Sequence, residues 1–405
     1  MRTGFGYSGT KNPERTMAKK KLSGAGHILA GAVALLLVGA VLGCRSNGKV
    51  VRIAVAVPLT GDLGSEGESL RRAVVLAVEQ VNAAKRLPFR VEVAPFDDRA
   101  DPAEAYNVAN LIVDDPRIMA VIGHYSSDCS ERAARVYARA PLAMISPAST
   151  NPELTRAQLR PHWLGARVVF RLVPTDDVQG DFAARFMRGR LRQRRVSVLH
   201  DGTLYGRELA EEFKKTFLRL GGQVVAETSI KVGVRHPQEV IGRLRSGNPQ
   251  GIFFGGRYPE AGLILKEMRR LGLKLLFCSG DGARTPGLFD VAGQSADGAY
   301  LTMAGAPVET LPEARTFIAD YRARWGHDGE GPRPFDHYGY EAAQIVLEAL
   351  ASAGPDRAQL VDAIHRTRHA GLLGVTSFDE KGDVCDMTVA MTRAQAVDRS
   401  FPVVH

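Results

Sequence analysis

Hydroxyl-bearing residues follow two short apolar runs of the sequence. Residues 118–122 lead to Ser127, and residues 142–145 lead to Ser149 and Thr150. A helix that begins at such a strand end directs backbone N–H groups and the positive end of its dipole outward, which suits a carboxylate or another small anion. Serines at these junctions also serve as plain helix caps. Because the layout occurs twice, we favour an anion-binding edge.

Three further polar residues occupy matching positions in the second half of the chain. Tyr205, Arg257 and Asp281 each lie a few residues beyond an apolar run. Asp281 stands between two glycines, a common turn-forming context. Together with the hydroxyls of the first half, however, its carboxylate completes a set of donors for a carboxylate and an acceptor for an ammonium group. The residues therefore predict a zwitterionic α-amino acid as ligand.

Catalysis is the weaker interpretation of the same residues. A nucleophilic serine needs a histidine base oriented by an acid. His124 is close to Ser127 in sequence, but no partner is evident for it, which leaves a hydrolase as a minor alternative. The glycine-rich turn at 58–67 has GxxGxxG spacing instead of the GxGxxG of dinucleotide sites. We expect no nucleotide cofactor and, without a Cys/His cluster of suitable spacing, no metal.

The elements that must position these residues alternate between strand and helix. β-branched runs alternate with amphipathic stretches in two successive blocks, the second starting after a break at 172–175. The stripe from Leu70 to Val81 predicts a helix with one apolar face, and Asp101 is the expected N-cap of a helix at 102–115. This alternation predicts an α/β fold with two doubly wound lobes of parallel sheet. Ligands of such sheets bind at the carboxyl ends of the strands.

The N-terminal residues have the pattern of an export signal. Three lysines at 19–21 precede an uncharged apolar run at 28–42, too short to span a bilayer comfortably. We interpret residues 1–43 as a signal peptide, with residues 1–16 as an over-long start, and 44–50 as a linker. Residues 1–43 contribute +5 to a net charge of +9, so the remainder gives no reason to expect a nucleic-acid partner. The sequence around Cys44 resembles the lipobox of bacterial lipoproteins, which implies a lipid anchor on that cysteine.

Three other cysteines remain: Cys129, Cys278 and Cys385. Since their number is odd, at most one disulfide is possible within the chain, and the sequence leaves its existence open.

Eight segments in order resemble the type I periplasmic binding proteins, in the Leu/Ile/Val-binding branch. They are VRIAVAVPLTG (51–61), FDDRADPAEA (96–105), AVIGHYSSD (120–128), ISPASTNPELT (145–155), VLHDGTLYG (198–206), FFGGRYPEAG (253–262), FCSGDG (277–282) and FDEKGD (378–383). The resemblance implies two lobes joined by crossovers near 172–176, 301–306 and 374–382. Lobe 1 would comprise 51–172 and 304–376, and lobe 2 would comprise 173–303 and 377–405.

The same resemblance implies roles for individual residues. Ser127, Ser149 and Thr150 would hold the α-carboxylate of an amino acid, assisted by backbone groups of Ala148 and Thr150. The Ala148 carbonyl and Asp281 would meet its ammonium group. Tyr205 would close over the ligand from lobe 2.

Two positions depart from the family pattern. Glu66 and Arg257 stand where aromatic residues usually face the ligand side chain. A charged pair is a poor lining for an aliphatic group, so we expect a polar or charged ligand side chain. The alternative is that Glu66 and Arg257 only hold the lobes together. The usual disulfide is also missing, with Arg99 and Ser126 in its place.

The predicted function is that of an exported, lipid-anchored receptor that delivers an amino acid or similar solute to an ABC-type permease. A ligand sensor of the same fold coupled to a signalling partner is the alternative, and sequence alone does not separate the two.

Overall fold

The computed structural model describes residues 50–326 and 331–404. The predicted signal peptide (1–43) and Cys44 lie outside these residues. No helix within the described ranges is long and apolar enough to cross a membrane.

The first sheet is built from the N-terminal block of the chain. Its strands are β1 (Val50–Val57), β2 (Arg90–Asp97), β3 (Ile118–Gly123), β4 (Ala143–Ser146) and β5 (Val169–Arg171). The helices of this block are α1 (Gly64–Ala83), α2 (Pro102–Asp114), α3 (Ser127–Arg139) and the short α4 (Glu153–Arg156). The strands run parallel in the order β2-β1-β3-β4-β5.

The second block supplies most of another sheet. Its strands are β6 (Arg195–His200), β7 (Gln223–Ser229), β8 (Gly251–Gly255), β9 (Leu276–Ser279) and β10 (Tyr300–Ala304). Its helices are α5 (Asp176–Arg185), α6 (Leu204–Arg219), α7 (Gln238–Arg245), α8 (Tyr258–Arg270) and α9 (Gly287–Ala292).

The last block returns to the first sheet and then to the second. It contains α10 (Arg315–Trp325), α11 (Asp336–Ala353), α12 (Arg357–His365), a small hairpin of β11 (His369–Gly371) and β12 (Gly374–Thr376), and β13 (Val389–Arg393). Helices α11 and α12 share the apolar core of the first sheet. The second sheet has the order β13-β10-β9-β8-β6-β7, and β13 is its one antiparallel strand. We call each sheet with its packed helices a lobe; the predicted doubly wound α/β architecture is confirmed.

Local sequence explains why these elements form where they do. The carboxylate of Asp101 accepts hydrogen bonds from the backbone N–H groups of Ala103 (2.8 Å) and Glu104 (2.9 Å), as expected of an N-cap. Leu70, Val74 and the other apolar residues of the α1 stripe are buried against the first sheet. Hydrophobic burial therefore fixes which face of each helix turns inward.

The region around β5 differs from the sequence-based expectation. Residues 172–175 appeared as a break, and neither β5 nor α5 was predicted, because β5 has three residues and one of them is the fully buried Arg171. Phe378 packs in the core of the first lobe, and the backbone of Arg171 exchanges hydrogen bonds with Gly382 and Val384. This segment therefore lies beside the first sheet, although the sequence analysis had assigned it to lobe 2.

Candidate functional site

A small cavity of about 20 Å³ lies where strand ends of the two lobes face each other. It is lined by Leu63, Tyr125, Ser126, Ser127, Ala148, Tyr205, Arg257, Tyr258, Asp281, Gly282, Thr285 and Phe335. Five of the eight predicted ligand-binding residues are among them, namely Ser127, Ala148, Tyr205, Arg257 and Asp281.

The first lobe contributes the N-terminus of α3. Ser126 is the N-cap of this 13-residue helix, yet its hydroxyl makes no capping hydrogen bond. Ser127, the first helical residue, accepts a hydrogen bond from the backbone N–H of Asn151 (3.4 Å) through its hydroxyl. Because both serines line the cavity, the uncapped positive end of the helix is available to a carboxylate.

Ser149 and Thr150 lie behind the cavity wall. The Ser149 hydroxyl is buried and shares a hydrogen bond with the hydroxyl of Ser130 (2.7 Å), and it donates to the backbone carbonyl of His124 (3.1 Å). The carbonyl of Thr150 accepts from the backbone N–H of Asp176 (2.9 Å). Burial raises the pKa of Asp176 well above its ordinary value, and the Thr150 hydroxyl opposes part of that rise. Both residues therefore support the turn that presents Ala148.

The second lobe contributes a buried carboxylate. Asp281 accepts hydrogen bonds from the Tyr205 hydroxyl at Oδ1 (2.9 Å) and from the Gln179 amide at Oδ2 (3.1 Å). The Gln179 carbonyl accepts in turn from Thr302 (2.9 Å). Burial raises the pKa of Asp281 to about 6, against the lowering effect of these two donors. A cation placed beside Asp281 would stabilise the ionised carboxylate, which burial separates from water.

Of the two residues predicted to face the ligand side chain, Glu66 and Arg257, only Arg257 lines this cavity. Glu66 does not line the cavity; its carboxylate accepts from the Arg333 guanidinium (2.8 Å) and from the Thr285 hydroxyl (3.1 Å). Arg257 does line the cavity, at the N-cap of α8. The two charges therefore have different surroundings and different roles.

His124 has partners that sequence analysis did not find. Its Nδ1 lies 2.6 Å from the Asp98 carboxylate and its Nε2 lies 3.0 Å from the Tyr137 hydroxyl, and all three side chains are fully buried. The expectation that His124 lacks a partner was wrong. Because both ring nitrogens are engaged inside the first lobe, neither is directed to Ser127, and the serine–histidine arrangement of a hydrolase is not formed.

The three described cysteines are all free thiols. Cys129 and Cys278 are buried and Cys385 is exposed. Burial raises the pKa of both buried thiols, so they remain protonated at neutral pH. The disulfide that the sequence left open is not formed among them.

Sequence reasoning missed most of the apolar lining. Tyr125 and Tyr258 adjoin predicted residues, so proximity to Ser127 and Arg257 was an available signal. Leu63 lies in the glycine-rich turn after β1. Thr285 and Phe335 come from loops without a distinctive motif, and only the fold brings them to the cavity.

Several contacts join the lobes around the cavity. The Asp128 carboxylate of the first lobe accepts from the backbone N–H of Leu204 in the second (3.0 Å). The Tyr258 hydroxyl donates to the backbone carbonyl of Asp62. Leu63, from the first lobe, packs in an apolar cluster of the second. The lobes therefore meet through polar and apolar contacts.

Comparison with known proteins agrees with this arrangement. The family model described as periplasmic binding protein matches residues 50–398. The leucine-, isoleucine-, valine-, threonine- and alanine-binding protein of Pseudomonas aeruginosa is 30% identical over 82% of this chain and 87% of its own length. The Leu/Ile/Val-binding protein homolog 2 of Brucella abortus is 32% identical over the same shares.

A solved structure shows the same architecture. The leucine-binding protein of Thermotoga maritima superposes with a TM-score of 0.79 at 29% identity, covering 88% of this chain and 98% of that one. Fold, cavity position and sequence similarity agree with the resemblance noted in the sequence. The chain belongs to the type I periplasmic binding protein family.

Proposed function

We propose that this protein is an extracytoplasmic receptor that captures an amino acid between its lobes and delivers it to an ABC-type permease. The observation that carries the proposal is the cavity itself, whose lining combines the uncapped N-terminus of α3 from the first lobe with the buried carboxylate of Asp281 from the second. The relatives named above bind amino acids by description. None of them favours the sensing alternative.

The ligand's α-carboxylate would bind at the first turn of α3, beside Ser127. Its ammonium group would bind between Asp281 and the backbone carbonyl of Ala148. Tyr205 would hold Asp281 in place and cover the ligand from the second lobe. In this proposal Ser149 and Thr150 position Ala148 without touching the ligand, and Glu66 joins the lobes.

Capture would involve closure of the two lobes. We assign 51–172 and 304–376 to lobe 1 and 173–303 and 377–405 to lobe 2. The exception is the segment 378–384, which lies beside β5 in the first lobe. Hinge motion at the crossovers would open and close the cavity. An anchor on Cys44 would keep the receptor at the membrane that holds the permease.

Thermal unfolding of residues 45–405 against the twenty amino acids tests the proposal. A ligand at 100 times its dissociation constant should stabilise the protein by about 2.7 kcal/mol, which shifts the midpoint by several degrees. We expect such a shift with at least one amino acid and no shift with its decarboxylated amine. The absence of any shift, confirmed by calorimetric titration, would contradict the proposed function.

A further inference from the structure

Arg257 is a cation without a counter-ion in the described part of the chain. Its guanidinium lines the cavity and is partly buried, and within residues 50–326 and 331–404 it makes no hydrogen bond or ion pair. It also stands at the N-cap of α8, where the helix dipole disfavours positive charge. Its position at the helix N-terminus is therefore unfavourable in the absence of an anion.

Three acidic residues of this region have other partners. Glu66 is bound to Arg333 and Thr285. Glu260, one helical turn along α8, accepts from the backbone N–H of Gly233 (2.9 Å). Asp281 is held by Tyr205 and Gln179. The chain thus leaves the guanidinium of Arg257 free toward the cavity.

The rest of the cavity around Arg257 is largely apolar. Leu63, Tyr258 and Phe335 share its lining, and Tyr125 packs edge-on against Phe335 at 5.5 Å between ring centroids. An aliphatic ligand side chain placed here would desolvate Arg257 without returning any interaction to it. A ligand side chain with an anionic group at the end of a short aliphatic stem would both pack against the apolar lining and pair with Arg257.

We propose that the ligand is an acidic amino acid, and that Arg257 binds its side-chain carboxylate. This inference rests on the proposed function. The α-carboxylate takes the N-terminus of α3, the ammonium group takes Asp281, and the second carboxylate takes Arg257. Each charge on the ligand then meets one opposite charge or dipole in the cavity wall.

A competing assignment gives Arg257 to the α-carboxylate. Arg257 acts electrostatically on Cys129, in the first turn of α3, so it is not remote from that helix end. The two assignments differ in which ligands depend on Arg257. A side-chain contact affects acidic amino acids alone, whereas an α-carboxylate contact affects every amino acid equally.

Calorimetric titration of residues 45–405 with L-glutamate, L-aspartate, L-glutamine, L-asparagine and L-leucine at pH 7.5 tests the inference. We expect one acidic amino acid to bind at least tenfold more tightly than its amide and more tightly than leucine. In Arg257→Met the acidic ligand should lose about 30-fold or more in affinity, and Arg257→Lys should recover part of that loss. The unfolding midpoint of ligand-free Arg257→Met should be no lower than that of the wild type.

Other outcomes would overturn the inference. Tighter wild-type binding of leucine than of either acid would contradict the acidic ligand and leave the receptor function intact. An equal loss for all amino acids in Arg257→Met would assign Arg257 to the α-carboxylate. Failure of every amino acid to bind the wild type would overturn both the inference and the proposed function.

Discussion

The carboxylate of Glu66 accepts a hydrogen bond from the hydroxyl of Thr285 (3.1 Å), and these two residues belong to different lobes. Glu66 lies on α1 of the first lobe, and Thr285 follows the turn that carries Asp281. Arg333 holds the same carboxylate from within the first lobe at 2.8 Å. The first lobe therefore presents a fixed acceptor to the second at the edge of the cavity, which suits a contact that stabilises closure.

We expect Glu66→Gln to weaken all amino acid ligands by a common factor. The amide loses the ion pair with Arg333, and so the contact with Thr285 is held less firmly. A loss of about tenfold in affinity, shared by every amino acid that binds the wild type, corresponds to a coupling of about 1.4 kcal/mol. Calorimetric titration measures it. Glu68→Gln is the matched control, because Glu68 pairs with Arg71 and Arg72 on the same helix. Selective loss of one ligand would instead place Glu66 against a ligand side chain.

Asp281→Asn should weaken ligand binding while preserving the fold. The ammonium group loses its buried charged partner, which should weaken affinity by at least about 30-fold, or roughly 2 kcal/mol. Because burial disfavours the ionised form of Asp281, the ligand-free variant should unfold at or above the wild-type temperature at pH 7.5. Titration and thermal unfolding give the two values, with the exposed Asp290→Asn as control. Unchanged affinity would remove Asp281 from the site.

Affinity should depend on pH through Asp281. Its pKa is raised to about 6, so the carboxylate must lose a proton to receive an ammonium group below that pH. Binding should therefore weaken about tenfold between pH 7.5 and pH 5.

The stability of the ligand-free protein should change with pH in the opposite direction to affinity, because the folded state binds the proton of Asp281 more tightly than the unfolded state. Asp281 alone lowers the free energy of unfolding as pH rises from about 4 through 6.

Asp336 provides the control for this pH dependence. Burial raises its pKa to about 7, but its carboxylate accepts from Ser69 and the backbone of Arg333, and it does not line the cavity. In Asp336→Asn the pH dependence of affinity should persist. Its disappearance in that variant would assign the titration to Asp336.

Ser127→Ala should change affinity without revealing any turnover. His124 is hydrogen-bonded to Asp98 and Tyr137 and so is not available to Ser127 as a base. In the proposed site the Ser127 hydroxyl would contribute one hydrogen bond to the ligand. We expect a loss of about five- to tenfold in affinity, near 1 kcal/mol. Mass spectrometry of wild-type protein incubated with amino acid amides and esters should find no product. Product that forms with the wild type and disappears in Ser127→Ala would support the hydrolase alternative.

Arg171→Met should destabilise the first lobe. The fully buried Arg171 bonds the Asp383 carboxylate through Nε (2.9 Å) and Thr155 through a terminal nitrogen (2.8 Å). Its removal leaves Asp383 with only the partial compensation of Lys381 (3.4 Å), and we expect a cost of about 3 kcal/mol. Urea denaturation measures the change. Arg167→Met, which breaks a surface pair with Glu380, should cost less than about 1 kcal/mol. Equal losses of stability in Arg171→Met and Arg167→Met would mean that the buried pair stabilises the protein no more than the surface pair does.

Periodicity predicted the fold because hydrophobic burial governs it. The buried apolar strands and the one-sided stripe of α1 are local patterns, readable wherever a run is long enough to show its period. β5 was missed for the opposite reason. Its three residues end in Arg171, and the acidic partner of that buried cation is Asp383, 212 positions along the chain.

The candidate site was predictable where chain topology alone dictates position. Ser127 and Asp281 follow parallel strands, whose carboxyl ends meet at one edge of each sheet, so their arrival in a common cavity follows from the alternation. Ser149 also follows a parallel strand, but its hydroxyl is hydrogen-bonded to Ser130 and does not line the cavity. That orientation depends on side-chain packing, which the sequence pattern does not reveal. The partners of Glu66 could not be predicted from the sequence either, because Arg333 lies 267 residues away along the chain.

The seating of Leu63 in the apolar cluster of the second lobe gives lobe closure a thermodynamic signature of its own. Apolar surface removed from water lowers the heat capacity, whichever molecule supplies it. Closure therefore contributes a negative heat-capacity change that belongs to the protein, even for a ligand with no apolar atoms to bury. A negative value measured for a charged solute would support the proposed closure, to which the burial of Leu63 is one contribution.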